Sequence, residues 1–364
     1  MPEDIHYKSR DGLSLFAKSY GDPNAALTVL CMHGLTRNHK DFEPMIAGLS
    51  RPHRYIAVDV RGRGRSQHDP DPARYAPPVY ADDMGVLLDT LKIEKAALIG
   101  TSMGGLMAMI MMHTMPERVL GTVLNDVGPV VDPAGLARIA GYVGEVGALP
   151  DWDAATQASA EAQRDVFPDF GPGDWRAFAS RTYRENDTGT VILDYDPAIS
   201  RAIADTKPTL KTRFAMWRLF AKMKKRPLLV TRGARSDVLH PSTAARMMKR
   251  HRTAKLVTIP GVGHAPLLNE PEAITAIETF LSQLAASHTR YVLKSPGRPI
   301  LFGANILGQN GHIEGVAGLA IIHVFIDDSE KFGAEIDFDR IIGLFARNQA
   351  QARIEFFFQI RLET

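Results

Sequence analysis

The sequence predicts an α/β fold: a mostly parallel sheet with helices on both faces. Three observations predict it. Short continuous apolar runs recur at 28–32, 55–58, 96–99, 119–124, 227–231 and 255–259, the pattern of strands buried on both faces. Helical patterns at about 78–91, 103–113 and 241–250 separate several of them, which is the strand–helix alternation of α/β proteins. Of 364 residues, 45% are hydrophobic and 23% charged, enough to bury a large core.

The elements follow in order. Alternation in "IHYKS" and "LSLFAKSYG" marks two antiparallel strands turned at Asp11-Gly12. The apolar runs then supply the central strands. "MGGLMAMIMMHTM" is a buried core helix whose methionines are adaptable packing residues. Between Val127 and about Thr212 the alternation breaks, and pieces such as "PAGLARIAGYV" and "DWRAFASRTYREN" suggest a helical insertion over the strand ends. The sheet resumes at "RPLLVTRGA" and closes with a helix near 270–285. The expected organisation is therefore core at 1–127, helical cap at 128–212, core again at 213–287 and a C-terminal extension at 288–364. That extension holds strand-like runs ("LAIIHVFI", "ARIEFFFQIRL") and a helix-like one ("DFDRIIGLFARN") without recognisable chemistry. An appended domain, a dimerisation element and a read-through extension are all open readings of it.

Composition also excludes. Forty-three Lys and Arg against 41 Asp and Glu leave a net charge of +2, so nothing argues for nucleic acid or an anionic membrane as partner. The lone Cys31 cannot form an internal disulfide and sits in the apolar run "LTVLCM", a buried residue suited to a reducing compartment. "MPEDIHYKSRDG" lacks the apolar stretch of a signal peptide, and no run reaches the roughly 18 apolar residues of a membrane span. A cytoplasmic protein without membrane insertion is the expectation; a homo-oligomer is compatible with it. The 12 histidines show no ligand spacing, so no metal and no cofactor are expected.

Chemistry concentrates at "LIGTSMGGLMA". A serine between glycines, after an apolar run and before a helical one, fits the G-x-S-x-G elbow, in which a sharp strand-to-helix turn exposes a nucleophile. Ser102 is that candidate. A hydroxyl needs a base, and the base needs an orienting acid, here following in the order acid then histidine. "VTRGARSDVL" offers Asp237 just after one strand, and "IPGVGHAPLLNEP" offers His264 just after the next. Both lie at carboxyl ends of strands, where open α/β sheets place their sites. Asp126 in "TVLNDVGP" is the alternative acid; its plainer reading is a turn or cap residue at the entry to the insertion. An oxyanion needs two backbone N–H donors. Met103 and, from "CMHGLTRN", Leu35 would supply them, with His33 and Gly34 as the supporting loop. "DVRGRGRS" fails both the dinucleotide and the P-loop patterns; its Arg61, Arg63 and Arg65 read as a solvated turn in a structural loop beside the site.

"HGLTRNHKDF", "DVRGRGRS", "GTSMGG", "RGARSDVL" and "PGVGHAPLLNEP" together resemble the capped α/β-hydrolases of the esterase, C–C hydrolase and lactonase branch, over about residues 5–286. The resemblance implies an eight-stranded sheet with the cap between its sixth and seventh strands. It implies Ser102 as nucleophile, His264 as base, Asp237 as acid, and the amides of Leu35 and Met103 as the oxyanion hole. A serine at the elbow, where dehalogenases and epoxide hydrolases of this fold carry an aspartate, implies acyl transfer to water. The expected reaction is hydrolysis of a small-molecule ester of small to medium acyl chain. Cleavage of carbon–carbon bonds in dienoates, enol-lactone hydrolysis, and a ligand receptor with little turnover are the alternatives. Candidate pocket residues are Tyr142 and Trp217, then the aromatics Trp152, Phe167, Phe170, Trp175, Phe178 and Tyr183. Arg138, Arg176 and Arg181 are candidates to hold a carboxylate.

Overall fold

Apolar strands need cover on both faces, and the computed structural model shows how the chain provides it. The structure describes residues 2–50, 53–144, 147–204 and 209–293. The strands are β1 (Glu3–Lys8), β2 (Ser14–Tyr20), β3 (Thr28–Met32), β4 (Arg54–Asp59), β5 (Ala96–Thr101), β6 (Val119–Asn125), β7 (Tyr183–Glu185), β8 (Val191–Leu193), β9 (Leu228–Gly233) and β10 (Lys255–Ile259). The helices are α1 (Glu43–Gly48), α2 (Pro77–Thr90), α3 (Met103–Thr114), α4 (Pro133–Ala140), α5 (Trp152–Gln163), α6 (Pro172–Thr182), α7 (Ile199–Ala204), α8 (Leu210–Lys222), α9 (Pro241–Arg250) and α10 (Pro271–Leu293).

Eight strands form one sheet in the order β1-β2-β4-β3-β5-β6-β9-β10. The β1–β2 and β2–β4 pairs are antiparallel and the rest parallel. Successive residues of a strand point to opposite faces. On β5, Ala96 and Leu98 accordingly enter the core shared with α2, α3 and α8, while Ala97 and Ile99 enter the core shared with α1 and α10. Met107, Met109 and Met111 on α3 are fully buried, as expected of a helix covered nearly all round.

The insertion between β6 and β9 is more than helical. Besides α4 to α8 it carries β7 and β8, an antiparallel pair that the sequence does not announce. It also runs past residue 212, because α8 continues to Lys222 and packs Trp217 and Phe220 inward. Compact units divide at His288/Thr289, and the strand- and helix-like runs of the extension lie outside the described residues. Among the described residues no helix is long and apolar enough to cross a membrane.

Candidate active site

The elbow is built by close approach. Ser102 sits between β5 and α3 at φ 51° and ψ −111°, a conformation a side-chain-bearing residue adopts only under constraint. A Cβ on Gly104 would stand 2.0 Å from the Met32 carbonyl oxygen, and one on Gly100 would stand 2.4 Å from that of Gly104. Only glycine fits either place.

Ser102 Oγ donates to Nε2 of His264 at 2.9 Å. His264 follows β10 in a loop held from two sides. Gly263 N donates to the Val166 carbonyl of the insertion, and Asn125 Nδ2 donates to the carbonyl of Pro266. Nδ1 of His264 donates to Oδ2 of Asp126, again at 2.9 Å. Asp126 is fully buried just past β6, at φ 53°. Its amide donates to Thr231 O and its Oδ1 accepts from Gly233 N, so β9 fixes the carboxylate that faces the histidine.

The expectation for Asp237 is therefore corrected: the carboxylate that reaches His264 is that of Asp126. Asp237 gives both its oxygens to Arg138, at 2.6 and 2.8 Å. The cause lies in α4. Gly135 packs so tightly on the Asp237 backbone that a Cβ there would be 2.5 Å from its carbonyl oxygen, and Arg138, one turn on, then reaches the side chain. Burial alone would raise the Asp237 pKa, but the Arg138 hydrogen bonds and charge outweigh it, and the group lies below the usual carboxylate range.

The "CMHGLTRN" loop is braced through its peptides. His33, fully buried, accepts the Val60 N–H at Nε2 (3.0 Å), so its proton is on Nδ1, which donates to Gly34 O at 2.6 Å. That carbonyl belongs to the peptide whose N–H is Leu35's. Burial brings the His33 pKa down to about 4, so the ring is neutral near pH 7. Neither the Leu35 nor the Met103 amide has an acceptor among the described residues.

The "DVRGRGRS" loop is not a solvated turn. Arg61 is buried against Asp11, Asp69 and Asp83, and Arg63 is buried completely; only Arg65 reaches solvent. An arginine enclosed by distant parts of the chain leaves no mark in hydropathy, and neither does the bracing role of Asn125. Sequence reasoning missed both.

A cavity of about 140 Å³ opens on Ser102 and His264. Of the expected pocket residues, Tyr142, Phe167, Phe178 and Tyr183 line it, together with Leu35, Ile139, Leu193 and Tyr195. Trp217 does not. It is buried against Phe220 with Arg246 and Arg250 stacked over its ring, and so is a packing residue. Trp152, Phe170 and Trp175 also lie off the cavity. Of the three arginines, Arg138 is taken by Asp237, Arg176 is near Asp153 at the surface, and Arg181 lies 3.6 Å from Asp41. Arg37 lines the cavity instead, together with its counter-ion Asp41; two hydrogen bonds join them, and the guanidinium stacks 4.1 Å over Phe178.

Known proteins resemble this chain in sequence and fold. A 3-hydroxybutyrate-oligomer hydrolase of Cupriavidus necator is 34% identical over 271 residues, 72% of this chain and 91% of that one. A 2-(acetamidomethylene)succinate hydrolase of Mesorhizobium japonicum is 28% identical over 70% of this chain and 87% of its own. The crystal structure of an alpha/beta hydrolase from Novosphingobium aromaticivorans superposes with a TM-score of 0.71 at 40% identity, covering 78% of this chain and 98% of that one. The family model of the alpha/beta hydrolase fold matches residues 28–271. With the eight-stranded sheet and the elbow at its centre, these matches show that the chain belongs to the alpha/beta hydrolase family.

Proposed function

We propose that the protein hydrolyses carboxylic esters of small to medium acyl chain through an acyl-enzyme on Ser102. One observation carries this reading: the unbroken hydrogen-bond chain Ser102–His264–Asp126, with both links at 2.9 Å. In the first half-reaction Ser102 Oγ attacks the carbonyl carbon, and His264 Nε2 takes the hydroxyl proton. Asp126 stabilises the resulting imidazolium without accepting its proton. The amides of Leu35 and Met103 receive the oxyanion. Collapse expels the alcohol, protonated by His264, and leaves the acyl group on Ser102. Water, deprotonated by the same imidazole, then attacks the acyl carbon; collapse releases the acid and returns the proton to Ser102.

The cavity supports a small acyl group: a closed cavity of about 150 Å³ accepts a benzene-sized molecule, and this pocket measures about 140 Å³. The relatives that hydrolyse 3-hydroxybutyrate oligomers and 2-(acetamidomethylene)succinate, by their names, support a small substrate with polar ends rather than a long lipid chain. Tyr142 and the Arg37–Asp41 pair give the wall polar groups, which supports such a substrate. The test is turnover of p-nitrophenyl esters of increasing acyl length by the intact protein and by Ser102→Ala. Activity lost in the variant, with an optimum at short acyl chains, supports the reading. A folded protein that turns over no ester moves the assignment to carbon–carbon or lactone cleavage, or to a ligand receptor.

A further inference from the structure

Arg63 is the one buried arginine of its loop without a carboxylate. Its neighbour Arg61 is matched by Asp11, Asp69 and Asp83. Around Arg63, by contrast, no carboxylate oxygen comes within 4 Å among the described residues, although it is 0% exposed. Its partners are neutral. Nε donates to Leu35 O at 2.9 Å, Nη1 donates to Arg61 O at 2.8 Å and to Tyr80 Oη at 3.0 Å, and Nη2 lies 3.6 Å from Met103 Sδ. The guanidinium also faces the rings of Tyr80 and Tyr75, at 4.9 and 5.5 Å. Burying a charge on neutral partners is costly unless a role retains it.

The neutral partners put this charge next to the two candidate oxyanion donors. Leu35 and Met103 are the two residues whose amides are assigned to the oxyanion, and Arg63 touches both. His33 holds the peptide on the amino side of Leu35, through Gly34 O. Arg63 holds the peptide on its carboxyl side, through Leu35 O. His33 thus pins the peptide plane that carries the Leu35 N–H, and Arg63 pins the plane that follows it, so rotation of Leu35 is limited at both ends. We infer that Arg63 is a positioning residue for the oxyanion hole, bracing the Leu35 donor and supplying behind it a positive charge that no carboxylate pairs with directly. The inference rests on the Ser102 acyl-enzyme reading. A preorganised charge aimed at developing negative charge acts strongly in a water-poor site. It acts on the transition state and leaves ground-state binding of a neutral ester nearly unchanged.

The experiment uses a fluorophosphonate as probe, because it reports on the nucleophile whatever the natural substrate is. Ser102 Oγ attacks phosphorus, fluoride leaves, His264 takes the serine proton, and the phosphoryl oxygen occupies the oxyanion hole. The rate is followed by mass spectrometry in the full chain, in Arg63→Met, in Arg63→Gln and in Arg63→Lys, with thermal unfolding recorded for each. Expected is a fall of about 10²-fold for Arg63→Met. Arg63→Gln should fall comparably, because it keeps a donor but not the charge, and Arg63→Lys should recover at least tenfold over Arg63→Met. With an ester that the protein turns over, kcat should fall in parallel at nearly constant KM, and affinity for an alkylboronic acid, a tetrahedral anion mimic, should fall with kcat. Labelling of folded Arg63→Met or Arg63→Gln at the parent rate overturns the inference. So does an equal loss in KM and kcat without rescue by lysine. Failure of the parent protein to label at Ser102 instead sinks the acyl-enzyme reading on which the inference stands.

Discussion

Asp126 holds Nδ1 of His264 at 2.9 Å, and one strand away Asp237 is held by Arg138. The two carboxylates leave adjacent parallel strands, β6 and β9, yet only one faces the imidazole. Exchanging each for asparagine separates their roles. Asp126→Asn should lower kcat by about 10³–10⁴-fold, through loss of the imidazolium partner and of the tautomer it selects. Asp237→Asn should keep kcat within about tenfold. Steady-state kinetics on one ester decides it; the reverse ranking would return the acid to Asp237.

The Arg138–Asp237 pair should instead appear in stability. Both side chains are partly buried and the geometry is bidentate, so breaking it should cost about 1–2 kcal/mol. A double-mutant cycle of Arg138→Ala and Asp237→Asn in urea should return most of that as coupling between them. Purely additive losses would show that the two residues act separately.

His33 makes stability depend on pH. Its folded pKa is about 4, against roughly 6.5 for an unfolded histidine. Below 6.5 the unfolded chain takes up a proton that the folded chain refuses until about pH 4. Stability is therefore complete above pH 6.5 and declines by ~3 kcal/mol as pH falls through that window. Urea midpoints between pH 8 and 4 should show this decline. In His33→Gln they should start lower and fall less steeply. Equal slopes in the two proteins would refute the assignment.

Gly104→Ala tests the elbow. The added methyl meets a main-chain carbonyl 2.0 Å away, that of Met32, and backbone cannot move aside as a flexible side chain can. A loss of at least ~3 kcal/mol is expected, seen as insoluble protein or a melting point lowered by ten degrees or more. A stable, active variant would mean that β3 and α3 separate more easily than their packing implies.

The parts of this site that local sequence encodes were legible, and the parts set at long range were not. The elbow was legible because a nucleophile on a tight turn forces glycine at 100 and 104, within four residues of each other. The strands were legible because two-sided burial demands unbroken apolar runs. The carboxylate that faces His264 was not, since Asp126 and Asp237 both follow a strand in a loop and both suit the order of the chain. The choice between them is made by Arg138, 99 residues away from Asp237, and by the backbone of β9. The loop of three arginines misled for the same reason: Arg63 is buried by Tyr75, Tyr80 and Leu35, none adjacent to it in sequence. Hairpin β7–β8 is only three residues long on each side, too short for its periodicity to stand out.

The bond from α4 to Asp237 also bears on modular engineering. A chimera that exchanged the insertion for that of a related hydrolase would treat it as a detachable lid. Here the lid carries the cation and the scaffold carries the anion, so a foreign lid without an arginine at position 138 would leave Asp237 charged and partnerless beside the site. Grafts should therefore move the two residues as one unit, or neutralise Asp237 in the recipient.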